Sequence, residues 1–298
     1  WGEAFTASAF FGLSWEAAYH FRMFTPDPIM IPFVLLTLYF LVSAQYRSDW
    51  NRHLRWASIC AGIACGAKYT AVFLTLSIFF SSLYLHLRSK YQIYLNQSQE
   101  VASIDDQNHN RIVTDTLGQR SFLTLGFQLF LWFLLAYLLT TPGTLLEPIK
   151  FLNDIAAQEW IYRVSGGGGY SVWPLYNKLQ IMGTYFGAVF FSHYFWVAII
   201  SSAFLLIGIY QATQKAFVTI VFFPFLVASL VVLLNYNIIY LRNFLSLFPL
   251  LAIFSARGLF ASGAWLLNLP TIHSSLRLRL FIQGAFFGFI VVATLINA

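Results

Sequence analysis

Thr25-Pro26-Asp27-Pro28 forms a short polar break between two long apolar runs, close behind Arg22. A carboxylate at such a break can bind sugar hydroxyls, or hold a divalent cation that bridges to phosphate. It can also simply open the next helix, since a proline suits the first helical turn. The surroundings weigh against the simpler reading. Charged groups kept at a membrane surface are costly, and their retention signals a function. Three bases fall on the same side as Asp27 when loop charges orient the chain: Arg22, Lys68 and Arg242. Arginine neutralises phosphate through a bidentate fork and lysine does so as a point charge. Taken singly, Arg22 and Lys68 read as snorkelling side chains and Arg242 as the end of a helix. Taken together, three bases and one acid at one surface make a site for an anionic lipid headgroup.

The elements that must position these residues are membrane spans. The chain has 298 residues, of which 59% are hydrophobic and only 9% charged, and its mean hydropathy is +0.69. Apolar runs occupy approximately 4–20, 28–46, 56–86, 121–141, 181–210, 216–234, 238–256 and 280–297. Runs of about 18 residues or more are the signal of transmembrane helices. The run 56–86 would extend about 47 Å as one helix, against a hydrocarbon core of roughly 30 Å. Lys68 interrupts it, which predicts a hairpin of two short spans, 56–67 and 69–86, with Lys68 at the tip. In 181–210, the first dozen residues are expected at the outer surface, with 192–210 crossing. Basic residues orient the whole, because cytoplasmic loops carry the excess of Lys and Arg. Arg47, Arg52 and Arg55 precede the hairpin, and Arg88 and Lys90 follow it. The expectation is an all-α integral membrane protein: a polytopic helical bundle with about nine crossings, the hairpin counted as two.

Two connections are long. Residues 87–120 are polar and read as a flexible cytoplasmic insert. Residues 142–180 carry Glu147, Asp154, Glu159, Trp160 and Arg163, then Gly166 to Gly169, Tyr170 and Trp173. Acids, aromatics and a glycine run suit a mobile outer-face loop over a polar ligand, carrying interfacial helices. No Gly-Lys-Ser/Thr follows the glycines, so they are not a phosphate-binding P-loop. Cys60 and Cys65 sit inside an apolar run and read as packing residues. Asn96-Gln97-Ser98 matches a glycosylation sequon, but this topology puts it on the cytoplasmic side. The net charge of +6 is spread over loops, with no basic stripe and no nucleic-acid motif.

From Tyr19 to Met30, with His20, Arg22 and Thr25-Pro26-Asp27-Pro28, the chain resembles the second outer loop of GT-C glycosyltransferases. That superfamily contains the protein O-mannosyltransferases and the lipid A aminoarabinose transferases. Ala61-Gly62-Ile63-Ala64-Cys65-Gly66-Ala67-Lys68-Tyr69-Thr70 is similar to its small-residue hairpin ending in Lys-Tyr-Thr. Pro142 to Gln158 looks like its large outer loop. Arg242-Asn243-Phe244-Leu245, continuing through Phe248-Pro249-Leu250-Leu251, resembles its late helix, with Asn243 where the family often has Tyr. The matches follow the family's order. They imply a single polytopic domain, 1–298, lacking the first span and first outer loop, so that the acidic motif supplying the general base is expected upstream of Trp1.

The resemblance implies transfer of a sugar from a polyprenyl-phosphate carrier to an acceptor at the outer membrane face. Lys68 and Arg242 would bind the donor phosphate, Tyr69 would join them, and Asp27, held by Arg22, would contact the sugar or a divalent cation. The partners implied are the lipid-linked sugar, an unnamed acceptor and the bilayer, in the plasma (inner) membrane if the source is bacterial. The competing expectation is a transporter or flippase for a lipid-linked sugar. That class should show internal repeats and helices broken near the bilayer midplane. No convincing repeat is present, and the charges fall at one surface.

Overall fold

The computed structural model describes residues 1–12, 14, 19, 26–103, 121–165, 174–184, 195–237, 241–269 and 276–297. For some of these, Arg242 among them, only the backbone is described. Every regular element among them is helical. The helices are α1 (Gly2–Gly12), α2 (Asp27–Tyr46), α3 (Trp50–Ala67), α4 (Leu74–Ser103) and α5 (Phe122–Thr140). Two more follow in the connection after α5: α6 (Gly143–Leu146) and α7 (Pro148–Trp160), the latter continued by a π-turn, Ile161–Ser165. The remainder are α8 (Leu175–Thr184), α9 (Phe195–Thr213), α10 (Ala216–Asn235), α11 (Phe248–Leu267) and α12 (Leu276–Asn297). Six described segments are long and apolar enough to cross a membrane: Asp27–Tyr46, Tyr69–Gln92, Phe122–Thr140, Phe195–Thr213, Ala216–Asn235 and Phe248–Leu267. The protein is an all-α, multi-pass membrane protein.

The break at Lys68 is real. Lys68 adopts an extended backbone between α3 and a 3₁₀ turn at Tyr69–Phe73, and its N–H closes α3 on the Ala64 carbonyl at 3.0 Å. α2 and α3 pack as an antiparallel pair, which returns Lys68 to the start of α2. α5 runs beside α3 because α3 is lined with small residues. A Cβ on Gly62 would collide with the Phe133 carbonyl, and one on Gly66 with the Thr140 side chain. α4 packs on α10, with the Tyr84 and Phe217 rings 5.4 Å apart. Between these helices lies the main core, in which Val34, Leu41, Leu54, Leu74 and Val221 are fully buried.

α1 lies against α11 in the opposite direction: Gly2 abuts the Phe260 ring, while Phe11 meets Phe248. α9 and α11 cross side by side at Gly208 and Gly258. A Cβ on either glycine would strike the partner helix's backbone, at Phe254 or Phe204. Small residues at such crossings let two backbones approach where lipid offers no hydrophobic drive for helix association.

Two sequence expectations change. Residues 87–103 continue α4 rather than starting a flexible loop. That stretch holds no Gly or Pro and is rich in Leu, Gln and other helix formers; 104–120 lie outside the described residues. The late span starts at Phe248, not near 238, because a 3₁₀ turn at Leu241–Phe244 intervenes and Pro249 occupies the first helical turn. Arg257 therefore sits inside α11, where its guanidinium donates to Glu3 at 2.7 Å.

The crossing at Gly258 predicts a matched pair of results. Gly258→Ala should lower stability by about 1–3 kcal/mol, the scale of overpacking, seen as a lower melting temperature in detergent. Gly126→Ala, where nothing lies within 4 Å of the new Cβ, should not; equal behaviour of the two variants would refute the close crossing.

Candidate functional site

Asp27 opens α2 in its first turn, preceded by Pro26 and followed by Pro28. Prolines at these positions cost no intrahelical hydrogen bond, and an acid there is favoured by the helix dipole. Yet Asp27 does not cap the helix: the N-cap residue is Pro26, and no side-chain cap bond is made. The carboxylate instead turns inward. Asp27 is 1% exposed, and its Oδ1 accepts from Lys68 Nζ at 2.7 Å. Lys68 Nζ also donates to Asn243 Oδ1 at 3.4 Å. Three segments far apart in sequence thus meet at one ammonium: the start of α2, the α3 terminus, and the 3₁₀ turn before α11.

The ammonium and carboxylate line a cavity of about 380 Å³. Its floor is Pro26, Asp27, Lys68 and Asn243, and one side is the end of α3 with Tyr69. Tyr137 and Thr141, at the end of α5, form the next wall. Phe151, Gln158 and Tyr162 close it from α7 and the π-turn. Residues spaced by seven and four along one helix share a face, so the connection after α5 presents a single aromatic and amide side to Lys68. Ile149 and Leu152, on α7's other faces, are exposed, as suits a helix lying in an interface.

Beside the cavity stands a second polar cluster. Tyr236, 4% exposed, donates its hydroxyl to Glu159 Oε1 at 2.8 Å, while Arg163 Nε donates to Glu159 Oε2 at 2.7 Å. Burial, then the bond to the Glu159 carboxylate, push the Tyr236 phenol above its ordinary pKa. It stays a neutral donor at physiological pH.

The structure therefore brings Asp27, Lys68 and Tyr69 into one cavity. Arg22 lies outside the described residues, as does the Gly166 to Gly169 run. The backbone places Arg242 next to Asn243 in the turn that reaches Lys68, and its side chain is likewise outside the described residues. Asn243 was visible in sequence only as a departure from a motif. Tyr137 was hidden in an apolar run, where a tyrosine reads as an interface anchor. Gln158 and Tyr162 were signalled only by the length and chemistry of their connection.

Residues 2–98 match the family of dolichyl-phosphate-mannose-protein mannosyltransferases. The match supports a GT-C superfamily glycosyltransferase. It spans Asp27, Lys68 and Tyr69, and so covers the part of the cavity built by α2, α3 and the following 3₁₀ turn. No curated protein and no solved structure matches the chain. The cavity sits where several helix ends converge.

A buried charge without its partner is expensive, so this pair has a measurable signature. Lys68→Met should destabilise the protein by roughly 3–5 kcal/mol, because it strands Asp27 in a site of low dielectric. Adding Asp27→Asn to Lys68→Met should recover a large part of that loss. Denaturant unfolding in detergent reads both, and additive losses would show that the pair is not coupled.

Proposed function

We infer that this protein is a membrane glycosyltransferase moving a sugar from a polyprenyl-phosphate carrier to an acceptor at the outer membrane face. The observation that carries this reading is a lysine ammonium shared between a buried carboxylate and an amide, on the floor of an aromatic-walled cavity at the helix ends. In the transfer, the bond from the sugar's anomeric carbon to the phosphate oxygen breaks and the bond to the acceptor oxygen forms. The phosphate leaves with the electron pair, and the acceptor hydroxyl gives its proton to a base.

Each residue has a task in that scheme. An ammonium has three donors, and Asp27 and Asn243 take two. Lys68 turns the remaining donor and its charge to the phosphate, which becomes more anionic as the bond breaks. A preorganised cation in a water-poor site stabilises that charge well, because no solvent must reorganise. Asp27 holds the ammonium in place and accepts from a sugar hydroxyl with its other oxygen. Tyr69, Tyr137 and Tyr162 offer ring faces and hydroxyls to a pyranose, and Arg242 is assigned to the same phosphate on the family resemblance alone. Among the described residues no three His, Cys, Asp or Glu side chains stand together. A divalent cation at Asp27 would thus take its other ligands from donor phosphate and water.

The grouping of acid, bases and tyrosines at one bundle end favours transfer over transport, which places its site near the midplane. In full-length protein reconstituted with a polyprenyl-phosphate sugar, Asp27→Asn should cut transfer by about 10²-fold or more, the scale of losing one key electrostatic group. Arg242→Ala should raise the KM for donor. Full activity in Asp27→Asn would defeat the proposal.

A further inference from the structure

The part of the cavity lining that comes from α7 and the π-turn is held differently from the rest of the bundle. None of the residues of α7 is buried. Core packing therefore does not fix where Phe151 and Gln158 stand, while Tyr162 in the following π-turn is partly buried against the edge of the main core. A set of polar contacts from the end of α10 ties this wall to the bundle. The Tyr236 hydroxyl donates to Glu159 at 2.8 Å, and its ring lies against the Tyr162 ring with centroids 5.0 Å apart. The Asn237 backbone N–H donates to the Tyr162 carbonyl at 2.8 Å, and its side-chain amide donates to the Arg163 carbonyl. Lys178, only 7% exposed, ties α8 to the same place by donating to the Leu234 carbonyl at 3.0 Å. A cation at the C-terminal end of a helix is favoured by the helix dipole.

Leu234, Tyr236 and Asn237 thus pin both the α7–π-turn segment and α8. They also lead directly into the turn that carries Asn243 to Lys68. Tyr236 is the only one of these contacts whose donor is a long, rigid side chain reaching a carboxylate, and charge-assisted bonds are about twice as strong as neutral ones. Glu159 does not line the cavity, but Gln158 and Tyr162, on either side of it, do.

We propose that Tyr236 is a positioning residue: through Glu159 it sets where Gln158 and Tyr162 stand in the cavity they share with Lys68, and so sets the affinity for the donor's sugar. The ligand class rests on the functional reading above; the latch itself does not. Losing the hydroxyl lets α7 and the π-turn shift over the cavity while the bundle, held by its own core, stays folded. The Lys68 end of the site, which meets the phosphate, keeps its geometry. Donor binding weakens, and the chemical step of bound donor changes little.

The test uses full-length protein in nanodiscs, a polyprenyl-phosphate sugar as donor, and amide hydrogen exchange. Tyr236→Phe keeps the ring contact and removes the hydroxyl. It should raise the donor KM about 5–10-fold, the range of one lost hydrogen bond, with kcat within about 2-fold and exchange faster across 151–163. Glu159→Ala should behave the same way. Glu159→Gln keeps an oxygen for Tyr236 and should return the wild-type KM, because the Arg163 pair it gives up is exposed and contributes little. An unchanged KM in Tyr236→Phe, or a parallel fall of kcat and melting temperature with no local change in exchange, would overturn the proposal. Faster exchange across 151–163 in a protein whose wild type turns over no lipid-linked sugar would uphold the latch and overturn the functional reading instead.

Discussion

The ion pair between Asp27 and Lys68 organises the molecule's functional end. The residues stand 41 positions apart, and the side chains are 2% and 15% exposed. Removing two charges from water is costly, and their attraction offsets that cost only if the geometry is good and the remaining polar atoms find partners. Asn243 supplies such a partner from a third segment. The start of α2, the end of α3 and the turn before α11 are therefore required to meet in register. That requirement is a constraint on the whole fold, because each of these segments is the terminus of a long helix or leads directly into one.

Helix approach makes the meeting possible. Within a bilayer, lipid tails are as apolar as leucine, so helices associate through close van der Waals packing and not through exclusion of water. Gly62 and Gly66 bring α3 onto α5, and Gly208 and Gly258 bring α9 onto α11. The first pair has a direct consequence for the site. It draws the end of α5, with Tyr137 and Thr141, against the break at Lys68, where both line the cavity. The run of small residues that ends at Lys68 is thus as necessary to the site as the lysine.

The cavity combines two kinds of wall. One is made by helix termini set in the buried core and carries the charges. The other, from the connection after α5, carries aromatic rings and an amide and is fastened by a few hydrogen bonds to residues 234–237. A charged, rigid side and a more lightly held aromatic side suit a ligand with an anionic group and a ring. The same division separates electrostatic stabilisation from substrate enclosure, since the two belong to segments with different local stability.

The helical character of the chain, the helix break at Lys68, and the choice of Asp27 and Lys68 as residues of one site were legible in the sequence. Hydropathy over a span-length window is a local property, and a lone lysine in an apolar run must lie at an end or in a cavity. The start of the late span was misplaced, because apolar residues run unbroken from the 3₁₀ turn into α11 and hydropathy cannot separate a packed turn from a span. Tertiary structure alone decided that Asp27 turns inward to Lys68 instead of capping α2, that Asn243 shares the ammonium, and that Glu3 meets Arg257. It also decided that Tyr137, Gln158 and Tyr162 share a cavity and that Tyr236 holds Glu159. Those are contacts between residues tens or hundreds of positions apart. A chain's local pattern states which side chains are polar or aromatic, but their partners are set by how helix ends converge, and that depends on close packing along the full length of each helix.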